Sequence, residues 1–237
     1  MSLTRHLTAA LLLALPTTLL AEAEWEQIRE AGERGDVSTY VRPVDDNPIK
    51  QFRGIIEVPH PLVTVMAVIS DVPNFDDWVF QCKGAEVRED EWGPEYARVM
   101  IRGIWPVSDR DVLVRSHYEQ DPETFAVTVH SQATEGVFEE QRRYVRIPAL
   151  NNVFRFEPLE DGWTRITFQT FVNPGGAIPA WLSNFVSTRA PLQTLEGMKA
   201  QMEKPQYQLG SPDDLPDALP GSPDLIFPEN HRASRTL

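Results

Sequence analysis

The side chains best equipped for chemistry are Asp109, Arg110 and Asp111, two carboxylates flanking a guanidinium. Paired carboxylates can share general acid and base roles, but a neighbouring arginine lowers a carboxylate pKa, the wrong direction for a general acid at neutral pH. No His or Cys stands near them in sequence to act as nucleophile or base. Arg110 is therefore expected to pin its loop through salt bridges. The five histidines, His6, His60, His117, His130 and His231, show no HExxH or clustered spacing. His117 and His130 each flank an apolar position in a strand-like run, which favours solvent-facing or hydrogen-bonded imidazoles over a metal site between them. The chain has no GxSxG, P-loop or GxGxxG pattern, and the lone Cys82 cannot form an intramolecular disulfide. These observations assign no catalytic residue, no metal and no cofactor.

The elements around these residues are mostly strands. Glu24 to Arg34 reads as a short helix with Trp25 and Ile28 on one side. Val37–Val44 and Ile49–Val58 read as a strand pair around Asp45-Asp46-Asn47-Pro48. Leu62, Val65, Met66 and Ile69 recur at helical spacing, so Leu62 to Ser70 is a helix closed by Asp71 to Asp77. Strand patterns follow at Gly84–Glu89, Glu95–Arg102, Asp111–Gln120, Thr124–Gln132, Arg142–Ile147, Asn152–Pro158 and Thr164–Val172, with Asp121-Pro122-Glu123 and Glu160-Asp161-Gly162 short enough for hairpins. Alternation puts Ala97, Val99 and Ile101 on one face, and it suggests inward sets of Val112, Val114 and Ser116, of Val127 and Val129, and of Ile166, Phe168 and Thr170.

After the turn Asn173-Pro174-Gly175-Gly176 comes one long amphipathic helix. It carries Trp181, Leu182, Phe185 and Val186, then Leu192, Leu195, Met198 and Met202, and ends near Glu203. Pro179 suits a first turn, while Pro191 falls inside and removes the bond to the Ser187 carbonyl, which predicts a kink over Ser187 to Ala190. Burying the four apolar side chains is worth roughly 1.5–3 kcal/mol each, against about 3 kcal/mol for an interior proline, so packing should win. Strands bracketed by helices, the longest last, describe an α+β fold in which a curved antiparallel sheet grips that helix. The residues leave open whether the space between is packed solid or holds an apolar guest.

Residues 1–21 carry one Arg and one His, then an apolar run and small residues, and read as a secretory signal peptide, which implies a periplasmic chain; an uncleaved N-terminal anchor is the alternative. With 41% hydrophobic residues the rest suits one globular domain, over 24–204, expected to be monomeric. A net charge of −13 offers no footprint for nucleic acid and no bulk attraction to anionic membranes. Residues 205–237 are rich in Pro and Asp and read as a tail, disordered or laid extended against the domain, since Leu215, Leu219, Leu225, Ile226 and Phe227 are too apolar for a plain linker.

Two stretches carry a resemblance to a known family. The join NPGG-x-IP-x-W beginning at Asn173 resembles the last strand and C-terminal helix of START lipid-transfer domains, and WPVSDRDVLVR from Trp105 to Arg115 resembles their Pro-x-x-x-Arg-Asp loop entering a central strand. The match covers about residues 24–204. It implies a helix-grip fold whose internal apolar tunnel binds one lipid or sterol-like molecule, without enzymatic activity. Its ligand contacts would be Val99, Ile101, Val112, Val114, Ser116, Tyr118, Val127, Val129, Ile166, Phe168 and Phe185. Trp105, Pro106, Val107 and Arg110, with Trp181 and Pro191 of the final helix, would form a gate that touches a membrane transiently during exchange. Without the resemblance, the apolar tip at Trp105 could instead fold back as a plug. A START-like enzyme of cyclase or aromatase type, and an interaction module with a filled core, are the alternatives. Several mammalian members bury a Glu and Arg pair in the tunnel; the matching positions here are Gly84 and Ser116, or Arg115 if the register slips by one.

Overall fold

The computed structural model describes residues 24–44, 47–88, 93, 95–136, 138–139, 141–176, 178, 180–216 and 224–234; the leader read at residues 1–21 lies outside them. The elements run β1 (Glu26–Arg29), β2 (Ser38–Val44), β3 (Asn47–Val58), α1 (Leu62–Ser70), β4 (Cys82–Val87), β5 (Tyr96–Ile101) and β6 (Arg110–Gln120). They continue with β7 (Val127–Ala133), β8 (Val145–Arg146), β9 (Ala149–Pro158), β10 (Thr164–Asn173) and α2 (Ala180–Met202). The strands form one curved antiparallel sheet in the order β1-β2-β3-β10-β9-β7-β6-β5-β4, with β8 set parallel beside the first residues of β6. This is the helix-grip architecture expected from the pattern of elements. No helix among the described residues is long and apolar enough to cross a membrane.

Two segments depart from the expectation. The stretch read as a first helix is the edge strand β1: all four of its residues are exposed, so no apolar stripe is buried, and it pairs with β2. The Trp25 ring, whose spacing suggested a helix, lies under the guanidinium groups of Arg53 and Arg42 at 4.0 and 4.7 Å, which holds this segment along the sheet. The strand expected over Arg142–Ile147 shortens to β8, which fills the place beside β6 before β7 begins.

The concave face is built in cross-strand rows. Val127, Phe156 and Ile166 stand opposite one another on β7, β9 and β10, and all are fully buried. The next row is Tyr118, Val129, Phe154 and Phe168, with the last two rings stacked at 4.2 Å. The row after that is polar: Ser116, Ser131, Asn152 and Thr170.

How closely α2 approaches the sheet is set by two glycines. A Cβ on Gly54 of β3 would stand 2.6 Å from Leu195 Cδ1 and 3.3 Å from Pro191 Cβ, and one on Gly197 would stand 2.5 Å from the Trp78 carbonyl oxygen. α2 continues through Pro191, whose ring is buried over Gly54. Seated this way, α2 packs on β3, β2, β10 and α1. The β5–β6–β7 half of the sheet is covered instead by the turn Val72–Asp77 and by Trp78 and Val79.

The segment after α2 is folded onto the domain where the structure describes it. Phe227 joins the core, and Gln120 and Ile226 exchange two hydrogen bonds of 2.7 and 2.8 Å. Pro61 offers α1 no side-chain cap, and the Leu62 N–H donates instead to His231 Nδ1 at 2.9 Å, with His231 Nε2 2.8 Å from the Leu159 carbonyl oxygen.

Gly197→Ala should lower the unfolding free energy by about 1–3 kcal/mol, because the new methyl meets main chain. Gly54→Ala should cost less, since Leu195 Cδ1 ends a flexible side chain. Chemical denaturation of both variants tests the order, and a milder Gly197→Ala would contradict this seating.

Candidate functional site: two cavities under the sheet

The half of the sheet that α2 leaves uncovered encloses space. An inner cavity of about 140 Å³ has Val99, Ile101, Val112, Val114, Ser116, Tyr118, Val129 and Phe168 on its walls, all foreseen as ligand contacts. It is roofed by Ile69, Val72, Phe75, Trp78, Val79 and Thr194. An outer cavity of about 180 Å³ lies between Ile104, Val107 and Arg110 on one side and Val172, Pro174, Ile178, Leu182 and Ala190 on the other. Ile101 lines both and stands between them.

Three expected contacts lie elsewhere. Val127 and Ile166 are in the solid row with Phe156, one step along the strands from the cavity, where close packing leaves no gap. Phe185 is on the outside of α2, with the Arg189 guanidinium 4.3 Å over its ring. Alternation had identified the right face of each strand but not how far along it the packed core reaches. Residues not foreseen include Ser131, Asn152 and Phe154, which continue the same alternation, and Trp78 and Val79, which lie outside regular elements and give no periodic signal. Glu95 also borders the inner cavity, its carboxylate turned towards Gly93.

Ser116, Ser131 and Asn152 of the polar row line the inner cavity. Ser116 and Ser131 hydroxyls are 2.7 Å apart, and Thr170 Oγ1 donates to Asn152 Oδ1 at 2.6 Å. Beside it, burial pushes the Tyr118 phenol well above its ordinary pKa, so it stays protonated. Ser116 occupies the cavity position and Arg115 is exposed, its guanidinium 5.6 Å over Tyr96, so neither register puts an arginine among the described residues of this wall.

The loop between β5 and β6 divides its apolar residues. Ile104 and Val107 face the outer cavity, Pro106 is exposed, and Trp105 is 88% exposed, so Trp105 is not folded back as a plug. Asp109 ties the loop down by accepting from the Gly103 N–H at 2.8 Å and from Lys83; these hydrogen bonds hold its carboxyl below the usual range. Arg110 does pin the loop, but through carbonyl oxygens instead of the expected salt bridges: it donates to Ser108, Pro174 and Gly175 at 2.6, 3.2 and 3.5 Å. Its fork thereby joins the loop to the turn that leads into α2. Trp181 lies in the first turn of α2 and its side chain is outside the described residues. Pro191 lines neither cavity.

Asp111 points the other way, to the convex face. There its carboxylate accepts from Arg98 Nε at 2.9 Å and from Arg146 Nε and Nη2 at 2.9 and 3.0 Å. Arg98 Nη2 is also 2.8 Å from Oδ2 without hydrogen-bond geometry, and the Arg98 guanidinium lies 5.3 Å from the Tyr144 ring. Burial opposes ionisation of Asp111, but Arg146 and Arg98 overcome it and hold the carboxyl below the usual range.

A family model described as polyketide cyclase / dehydrase and lipid transport matches residues 58–199. The fold is similar to that of a STAR-related lipid transfer protein from Xanthomonas axonopodis, with a TM-score of 0.68 and 27% identity over 76% of this chain and 99% of that one. Human StAR-related lipid transfer protein 5 is similar with a TM-score of 0.65, at 18% identity, over 78% of this chain and 88% of its own. An uncharacterized protein of Pseudomonas aeruginosa is 28% identical over 196 residues, 83% of this chain and 95% of that protein.

Replacing Asp111 by Asn would leave Arg98 buried without a counter-charge, at a cost of about 3–5 kcal/mol. Because the carboxyl's folded pKa is depressed, its contribution is complete above the unfolded value of about 3.9 and is lost as pH falls through the folded one. Acid titration of stability should therefore show a fall below about pH 4 in the wild type that is flattened in Asp111→Asn.

Proposed function

As a member of the polyketide cyclase / dehydrase and lipid transport family, the chain is, we propose, a non-enzymatic carrier of one amphiphilic lipid, which it holds under the sheet and exchanges beside Trp105. Family membership supports a role in binding a hydrophobic ligand. The carrying observation for the finer reading is that Ser116, Ser131 and Asn152 stand side by side in the wall of a mostly apolar cavity. The two serines bond each other and Asn152 Oδ1 accepts from Thr170, so what a hydrocarbon guest would leave facing carbon is the remaining hydrogen-bonding capacity of these groups and the Tyr118 hydroxyl, which a guest with a hydroxyl or carbonyl head can use. Each cavity is smaller than the roughly 300–1,000 Å³ of a drug-sized pocket, so a long-chain guest would occupy both and turn the Ile101 side chain aside.

The enzyme reading has less support. Among the described residues, Glu95 and Tyr118 are the ionisable ones bordering the inner cavity, and a phenol that holds its proton more tightly than usual is a poor general acid or base near neutral pH. For exchange, the loop tip presents an aromatic ring suited to a membrane interface while its neighbours Ile104 and Val107 wall the outer cavity, so dipping the tip would loosen that wall. We further propose, on the apolar leader at residues 1–21, that the carrier works in the periplasm.

Mass spectrometry of lipids that co-purify with the protein is the direct test. Val114→Trp should keep its fold and lose most of that lipid, because the indole occupies the inner cavity. Absence of lipid from the wild type, with unfolding of Val114→Trp, would favour an interaction module with a tightly closed core.

Trp105→Ser should slow fluorescent-lipid transfer between vesicles several-fold while leaving equilibrium affinity nearly unchanged, since a gate alters on- and off-rates together. If affinity falls in proportion to transfer, Trp105 is part of the ligand wall and the gating reading fails.

A further inference from the structure

On the convex face of the sheet, behind the inner cavity, His117 of β6 and His130 of β7 stand directly opposite each other in register. Their rings are stacked, 4.8 Å between centroids and 12° between planes. Glu119, two residues along β6 and on the same face, reaches both: its Oε1 is 3.6 Å from His117 Nε2 and its Oε2 is 3.8 Å from His130 Nε2. One ligand atom from each of the three lies within 4.8 Å of the others. We propose that these three residues bind a divalent transition cation of the zinc class, in a two-imidazole, one-carboxylate site with its remaining positions open to water.

The chemistry suits that ion class. Imidazole and carboxylate together select zinc-like borderline cations over calcium or magnesium, which prefer all-oxygen sets. Bond lengths of about 2.0–2.2 Å in tetrahedral geometry put ligand atoms about 3.3–3.5 Å apart. The two nitrogen–oxygen distances, one to each Glu119 oxygen, are within a few tenths of an ångström of that spacing. The remaining adjustment is between the two imidazole nitrogens, where the His117 side chain is exposed and can turn towards the half-buried His130. Sheet register fixes the separation of the two histidine backbones, so little has to be ordered on binding. Neighbouring cations face elsewhere: Arg115 lies over Tyr96, and Arg155 is 3.4 Å from Glu157. A chain with net charge −13 also attracts cations.

The site is coupled to the cavity by position. Ser116 and Tyr118 flank His117, Val129 and Ser131 flank His130, and all four line the inner cavity. An ion joining the two histidines would clamp β6 to β7 from behind, along the wall the guest touches. The proposal itself is independent of what that guest is.

Zinc chloride titrated calorimetrically into the tag-free protein provides the test. His60 and His231 are poor competitors, since both are buried and hydrogen-bonded, to Glu203 and to Leu62 and Leu159. One zinc should bind per chain, with a dissociation constant tighter than about 100 μM. His117→Ala and His130→Ala should each weaken binding at least tenfold, with the circular dichroism spectrum unchanged, and Glu119→Gln should weaken it measurably. In the wild type, Co2+ should give the visible absorption of a low-coordinate nitrogen and oxygen site. No saturable binding in that range, or a constant unmoved by the histidine substitutions, would overturn the site. Loss on changing the histidines but not Glu119 would overturn the three-ligand arrangement.

Discussion

The distance between α2 and β3 is the constraint on which the rest of the molecule depends. Gly54 lets Leu195 and Pro191 of the helix rest directly on the strand backbone, and Gly197 lets the helix meet the Trp78 main chain with no side chain between them. A helix held that close to one half of a curved sheet cannot also fill the other half. The opening under β5, β6 and β7 is thus a geometric result of tight packing next to it, and no unusually small side chains are needed to line it. Leu195, Met198 and Met202 complete the solid core on the helix side, and the row Val127, Phe156 and Ile166 marks where that core stops.

Charge is arranged to leave this opening apolar. On β6 successive residues alternate between the cavity and the convex face, so Asp111 is carried away from the ligand wall and paired with Arg98 and Arg146 behind it. Arg110, whose alternation points inward, would be a buried charge at the cavity mouth. Its donors are given to carbonyl oxygens on both sides of that mouth, so the charge is solvated by main chain and serves as a brace. The loop and the entry to α2 are therefore mechanically one unit, and movement at Trp105 is resisted at Pro174.

Much of this was legible in the chain, and the misses have physical causes. Period-2 alternation is a local property, so it placed Val112, Val114, Ser116 and Val129 on the correct face. Whether an inward residue meets a helix or a void depends on a partner far away in sequence, and Val127 and Ile166 were assigned to the cavity for that reason. Trp78 and Val79 belong to an irregular segment, where spacing says nothing about direction. Trp25 and Ile28 sit three apart, as on a helix face, but two arginines from β2 and β3 decide the matter in favour of an edge strand. After residue 204 the Pro and Asp content favoured disorder and the apolar residues favoured a chain laid against the domain; in the described parts Phe227 joins the core and Ile226 bonds Gln120.

That segment has a bearing on how the protein acquires its structure. The first N–H of α1 finds its acceptor in His231, 169 residues further on, and Thr64 meets Ser234 across 170. Contacts closed over such a distance come at a large loop-entropy cost and slow the search for the native arrangement. The opening turn of a helix at the centre of the core thus waits for residues near the other end of the chain. The early helix can be completed only when the whole domain has come together, which ties its local order to global cooperativity.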